Sequence, residues 1–378
     1  MTAPLRVYLP CTGLGHERRG FESFTRGFAA AMQDESSVRL EVFAGGRDGG
    51  SATVLREKVV PNLRRGGAAA RAIGAIIRRD PYFVEQGSFF VGFLPAVLRQ
   101  APDLIYFADL NLGNALWHWR RLSGARYRLL FYNGGATRMP FTRCDHVQQV
   151  VPSRLEEARQ RGESTARQTV LPHGVAIAPR HEHVTPAMRT AARATLGLSV
   201  EGPVLLSVGQ LDRATKRTDL LIESVAAMPA PRPYLLLAGA DGPDGDSLRA
   251  LAAARLGSQW SWMTLVPSRM GEAYRAADRF ALLSRGEGFG LAYVEALAAG
   301  LPVLAHDEEV TRFVTGENAL LRDVADATGG ARALTELFAA PMDAASCAAR
   351  HESVRSRFGW DVLRPGYVSL LQKVARDA

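Results

Sequence analysis

The stretch from Phe280 to Ala305 constrains the fold more than any other, because a strand, a glycine loop, a helix and a second strand follow one another in it with no spare residues. Phe280 to Leu283 is an apolar run of strand length. Residues 284–290 hold three glycines and read as loop, and Leu291 to Ala299 reads as a helix closed by Gly300. Pro302 opens the next apolar run, Val303 to Ala305. In such a unit the first helical turn presents unpaired N–H groups and the positive end of the helix dipole, which suits an anion. Gly288 and Gly290 lack a Cβ, so a ligand can approach the backbone of Phe289 and Leu291 closely. Glu287 precedes this anion pocket, and Glu295 lies about one turn inside the helix. Carboxylates do not bind phosphates, so the two are expected to read hydroxyl groups on either side of a diphosphate, as a nucleoside diphosphate sugar offers. The bland alternative is a solvated Glu287 and a Glu295 facing water. Glu295 is, however, the only charge between Glu287 and His306, and a lone carboxylate in an apolar helix is costly unless it is bonded.

The rest of the chain repeats this alternation twice. A length of 378 residues exceeds one compact core and predicts two domains. Strands are expected at Arg6 to Leu9, Val38 to Phe43, Leu104 to Phe107, Arg128 to Tyr132 and Val147 to Val151. A helix from about Glu17 has Phe21, Phe24, Phe28 and Met32 on its core face, with Arg18, Arg19, Glu22 and Arg26 mostly elsewhere. Pro172-His-Gly174 and the stretch from Pro179 to Thr190 interrupt the pattern as an interdomain connection. The second array has strands at Val204 to Val208, Tyr234 to Ala238, Met263 to Val266, Phe280 to Leu283 and Val303 to Ala305, with helices at Thr218 to Ala227 and Ser247 to Leu256. Two such arrays imply an α/β protein whose ligands sit outside the carboxyl ends of the strands, in a cleft between the arrays.

Ala276-Ala-Asp278-Arg-Phe280, Ser284-Arg-Gly-Glu-Gly-Phe-Gly-Leu291, Glu295-Ala-Leu-Ala-Ala-Gly300 and Pro302-Val together resemble the signature of family-4 retaining glycosyltransferases. Gly13-Leu-Gly-His-Glu17, Pro172-His-Gly-Val175, Ser207-Val-Gly-Gln-Leu211 with Lys216, and Trp360-Asp361 follow the same family's order along the chain. The resemblance implies the GT-B fold, two Rossmann-like domains facing each other across a cleft. An acceptor-side domain would cover 1–178, with the helix 365–378 packing back on it, and a nucleotide-sugar domain would cover 179–364. Lys216 would bind the leaving diphosphate, with Arg217 as a second charge. Arg217 stands where the family often has glycine, and Gln210 where it often has arginine. Glu287, Gly288, Phe289, Gly290, Leu291 and Glu295 complete the donor set, and Gly15 would add a phosphate contact. Asn133 stands near the place of a family histidine and would donate to a sugar or acceptor hydroxyl; Asn133-Gly134 is also an ordinary turn. His16 and Glu17 are candidate acceptor contacts. Glu287, Lys216 and Asn133 form the expected catalytic group. No metal and no cofactor is expected, the donor being a substrate.

Composition excludes several other classes. The net charge of +8 is almost wholly arginine, only Lys58, Lys216 and Lys373 being lysines, which makes Lys216 conspicuous. No zinc-finger or aromatic-basic RNA motif accompanies the charge, so nucleic acid is not an expected partner. Three dispersed cysteines and the absence of an apolar signal segment suit a cytoplasmic location. Residues 56–82, with Arg56, Lys58, Arg64, Arg65, Arg71, Arg78 and Arg79, read either as a basic surface for anionic membranes or as a mobile acceptor loop. Gly66, Gly67 and Gly74 weaken any helix there, and a small soluble hydroxylated acceptor, as in natural-product assembly, is preferred. A lipid or cell-envelope acceptor, a sugar-nucleotide epimerase and a non-catalytic binding module are the competing expectations.

Overall fold

A computed structural model describes residues 3–17, 20–47, 57–135 and 140–376. Arg18, Arg19 and Arg56, all named above, lie outside the described residues. The chain divides into two compact units, one of residues 1–174 with 360–378, the other of 175–359.

In the first unit, β1 (Leu5–Cys11), α1 (Gly20–Ala31), β2 (Val38–Ala44) and β3 (Lys58–Val59) lead to the helices α2 (Ala68–Ile77) and α3 (Pro81–Arg99). There follow β4 (Leu104–Phe107), α4 (Leu110–Ser123), β5 (Arg128–Asn133), β6 (His146–Gln149), α5 (Pro152–Gln160) and β7 (Gln168–Val170). All seven strands pair in parallel in the order β3-β2-β1-β4-β5-β6-β7. Parallel strands covered on both faces must be apolar throughout, and Leu104–Phe107 is buried at every position. Phe24, Phe28 and Met32 are buried as the helical spacing predicts. Glu22 departs from expectation: it is fully buried, because its position on α1 carries it toward Cys11 at the end of β1, with Cys11 Sγ 3.9 Å from Glu22 Oε1.

The second unit runs α6 (Pro186–Thr195), β8 (Val204–Val208), α7 (Thr218–Ala226), β9 (Tyr234–Ala238), α8 (Gly245–Leu256) and β10 (Trp260–Met263). It continues through α9 (Met270–Ala276), β11 (Arg279–Leu282), α10 (Leu291–Ala298), β12 (Val303–His306), α11 (Glu309–Thr315), β13 (Ala319–Arg322), α12 (Ala327–Ala339) and α13 (Ala344–Phe358). Its six strands are also parallel, ordered β10-β9-β8-β11-β12-β13. Two expectations are corrected. The strand expected at Met263 to Val266 lies three residues earlier, where Trp260 and Trp262 pack on the unit's apolar core. The supposed connection from Pro179 to Thr190 is helical from Pro186, because the Thr185 hydroxyl caps α6 by accepting the Met188 N–H at 3.3 Å.

The chain then returns to the first unit through α14 (Trp360–Arg376). Gly174 explains the Pro172-His-Gly motif: a Cβ there would stand 2.5 Å from the Trp360 indole. The Tyr367 hydroxyl closes the join by donating to the Pro172 carbonyl at 2.7 Å. Two motifs nearly 190 residues apart in the sequence are thus one packing contact. In each sheet the strand order reverses once, between β1 and β4 and between β8 and β11. Loops leaving adjacent strands diverge at such a switch point and leave a crevice where ligands of open α/β sheets bind.

Candidate functional site

The second unit's switch point brings Lys216 and Glu287 together, although 71 residues separate them. Lys216 leaves the loop after β8 and Glu287 the loop after β11, and Lys216 Nζ donates to Glu287 Oε1 at 2.6 Å. Both side chains are largely shielded, 22% and 10% exposed. The two loops are also tied through their backbones, the Arg285 N–H donating to the Thr215 carbonyl at 2.9 Å. Asp212, which sequence reasoning passed over, shapes the first loop: its Oδ1 accepts the N–H groups of Thr215 (2.6 Å) and Lys216 (3.0 Å). Gly209 runs beneath the lysine stem, where a Cβ would stand 3.3 Å from Lys216 Cδ and Cε.

Arg217 holds the left-handed conformation, with φ 52° and ψ 43°, at the start of α7. Glycine adopts that region freely, whereas another residue is strained by about 1–2 kcal/mol. Its Nη2 donates to the Val324 carbonyl at 2.9 Å and its Nη1 is buried without a hydrogen bond. Burial, and then the nearby Arg285 guanidinium, hold its pKa below the ordinary arginine value. Arg285 in turn donates through Nε to His306 Nε2 at 3.0 Å. That bond requires a neutral ring, and burial followed by the Arg285 and Arg217 charges pushes the His306 pKa down. Gln210 is exposed and donates to the Asp241 carbonyl at 3.2 Å.

Gly290 caps α10 with φ 85°, and a Cβ there would strike the Tyr293 ring at 2.6 Å. The N–H groups of Leu291 and Ala292 in the first turn have no helical carbonyl to reach. Gly286 is also left-handed, φ 75°, and its N–H is fixed by Glu308 Oε2 at 2.9 Å. The Phe289 side chain is buried edge-on against Phe358, so what it offers a ligand is backbone. Glu295 has a protein partner that the sequence did not reveal: the Tyr274 hydroxyl donates to its Oε2 at 2.6 Å. Burial raises the Glu295 pKa, and the Tyr274 bond pulls it back. That bond engages Oε2.

At the first unit's switch point the loop after β1 meets Asp109, two residues past β4. Asp109 Oδ2 accepts the Thr12 hydroxyl (2.7 Å) and N–H (3.2 Å), and the Tyr82 hydroxyl donates to Asp109 Oδ1. His16 lies 2.6 Å through Nε2 from Glu85 Oε1, a carboxylate with no exposed surface. Since a carboxylate only accepts, Nε2 carries the proton. His16 Nδ1 is then left buried without a hydrogen bond. Arg65 grips Glu17 with two bonds of 2.7 and 2.6 Å. Glu85 stands 69 residues from His16, and no local signal announces it. Gly15 has a structural reason to be glycine: its φ is 92°, and a Cβ would lie 2.4 Å from the Gly46 carbonyl. Asn133 ends β5, buried, with Nδ2 donating to Gln149 Oε1 at 2.8 Å. Tyr132 beside it bonds His173 Nδ1 at 2.5 Å.

Residues 202–340 match the family described as glycosyl transferases group 1. The chain is 32% identical over 254 residues to a D-inositol 3-phosphate glycosyltransferase of Thermobispora bispora, covering 61% of this chain and 58% of that one. A protein of the same name from Geodermatophilus obscurus is 37% identical over 173 residues, 42% of this chain and 37% of that one. The match therefore spans between about a third and three fifths of these relatives' length. Among solved structures, sucrose-phosphate synthase from Thermosynechococcus elongatus superposes with a TM-score of 0.78 at 19% identity, covering 99% of this chain and all of that one. Anabaena HepE in complex with UDP and glucose gives 0.75 at 17%, covering 98% and 100%. The fold is GT-B, with two Rossmann-like α/β domains.

Proposed function

We propose that the protein is a retaining, metal-independent glycosyltransferase that moves a sugar from a nucleoside diphosphate sugar to a hydroxyl of a small hydroxylated acceptor. The observation that carries this is the Lys216–Glu287 pair at the second unit's switch point, beside the N-terminus of α10. A shielded ammonium and carboxylate that satisfy one another are poised for a ligand with an anion for one and hydroxyls for the other. The diphosphate would take Lys216 and the first-turn N–H groups of α10, and Glu287 would turn to the sugar. Arg217, next in the chain to Lys216, would supply the second phosphate charge, and Glu295 Oε1 would read the ribose. The match of residues 202–340, and a structural neighbour holding UDP and glucose, support a nucleotide-sugar donor.

Retention follows if the acceptor attacks from the leaving-group face. The glycosidic bond to the phosphate oxygen breaks, the acceptor oxygen bonds the anomeric carbon, and the acceptor proton passes to the departing phosphate. The protein then supplies orientation and fixed positive charge and needs no separate base. His16, held by Glu85, and Glu17, held by Arg65, are assigned to the acceptor, and Asn133 to a sugar or acceptor hydroxyl.

A thermal-shift panel of UDP, GDP, ADP and dTDP tests the donor, since a nucleotide that binds only the folded chain raises its melting temperature. Proton NMR of the product made from the matching sugar nucleotide then reads the anomeric configuration. An inverted product rejects the front-face reaction. Conversion of the donor without acceptor identifies an epimerase, and binding without turnover a non-catalytic module.

A further inference from the structure

The residues that helix α2 buries are both small, and its large apolar residues face outward. Of its ten residues only Ala70 and Gly74, one turn apart, are buried. Gly74 permits that contact: a Cβ there would lie 2.7 Å from the Arg79 carbonyl oxygen. Ile73, Ile76 and Ile77 form a stripe at i, i+3 and i+4 and are 38%, 81% and 45% exposed. Phe83, in the first turn of α3, is 38% exposed. Arg71 on the helix, Arg78 at its left-handed cap and Arg79 just beyond are all exposed, and the Arg79 guanidinium lies 5.4 Å from the Phe83 ring centre. Asp80 is the one carboxylate between residues 71 and 84, and its Oδ1 accepts the Tyr82 N–H.

We propose that this face docks the protein peripherally on an anionic lipid surface. The isoleucines would enter the boundary between headgroups and acyl chains, with the three arginines at the lipid phosphates. An isoleucine stripe flanked by arginines, with almost no acid, matches both layers of such a surface. A two-fold contact with a second copy would set these arginines against their own kind, and an acidic protein would pair with the arginines and leave the isoleucines unexplained. Among the described residues no helix is long and apolar enough to cross a membrane, so attachment by α2 would be reversible. The inference goes beyond the transferase reading and does not depend on it.

Co-sedimentation of the full chain with vesicles tests it, using phosphatidylcholine alone and phosphatidylcholine mixed equally with phosphatidylglycerol. The chain should pellet with the anionic vesicles at low salt, and less as salt rises. Replacing Arg71, Arg78 and Arg79 by glutamine should weaken partitioning about 100-fold, at about fivefold per arginine. The double variant Ile73→Ser/Ile76→Ser should stay in the supernatant. Nucleotide thermal shifts in the same variants should match the parent, which separates a failure here from a failure of the donor site. No pelleting at low salt overturns the proposal, as does pelleting that survives the isoleucine changes. A concentration-dependent dimer in light scattering that Ile76→Ser abolishes also overturns it, in favour of self-association.

Discussion

Replacing Lys216 by methionine separates a structural ion pair from a functional one. The 2.6 Å contact joins an ammonium 22% exposed to a carboxylate 10% exposed. A hydrogen bond to a charged group contributes about 1.5–3 kcal/mol, and removing one partner of a fully buried pair costs about 3–5. With Lys216 partly solvated, the loss should be about 2–3 kcal/mol. For a unit of residues 175–359 that corresponds to a melting temperature lower by about 5–10 °C. The double variant Lys216→Met/Glu287→Gln removes both charges, so no buried carboxylate is left unpaired, and it should melt within about 3 °C of the parent. Turnover should respond differently. It should fall about 100-fold or more in the single variant, on the scale of a lost transition-state contact, and stay there in the double one. Calorimetry and initial rates of nucleotide release, measured well below every melting point, provide the two readouts. If turnover returns with stability in the double variant, the pair is scaffolding and the assignment of Lys216 to the diphosphate is wrong.

Gly15→Ala should destabilise the first unit by about 3 kcal/mol, left-handed strain and the collision with Gly46 adding together; an unchanged urea midpoint would show that the loop yields freely. Tyr274→Phe removes the bond that lowers the Glu295 pKa, leaving the carboxyl still higher, so nucleotide affinity should drop a few-fold and recover toward high pH by calorimetric titration. His173 is buried and its pKa is lowered to about 3 from 6.5. Its unfolded form therefore takes up a proton first, and stability is lost as pH falls below 6.5, by about 3 kcal/mol at pH 4.5. His173→Gln should flatten that slope in urea titrations at the two pH values, and an equal slope in the variant would place the acid sensitivity elsewhere.

Elements whose signal is local were legible in the sequence. Val204–Val208, Tyr234–Ala238 and Leu104–Phe107 have the bounds their apolar runs predict, because strands buried on both faces announce themselves by composition. The glycine loop and the helix after it were equally plain. Trp260–Met263 was misplaced because its tryptophans are only half-buried on an edge strand, and α2 was discounted because Gly66, Gly67 and Gly74 weaken a helix when tertiary contact is left out.

The order of residue types along the chain sufficed for two parallel α/β arrays and for the loops that carry Lys216, Glu287, His16 and Glu17, since periodicity and glycine placement act over a few residues. Only the folded structure decided who holds whom: Lys216 with Glu287, Glu295 with Tyr274, His16 with Glu85, and Gly174 beneath Trp360. Those pairings join residues 21 to 186 positions apart. Sheet order and helix packing fix them, and no local propensity encodes which distant partner a turn will meet.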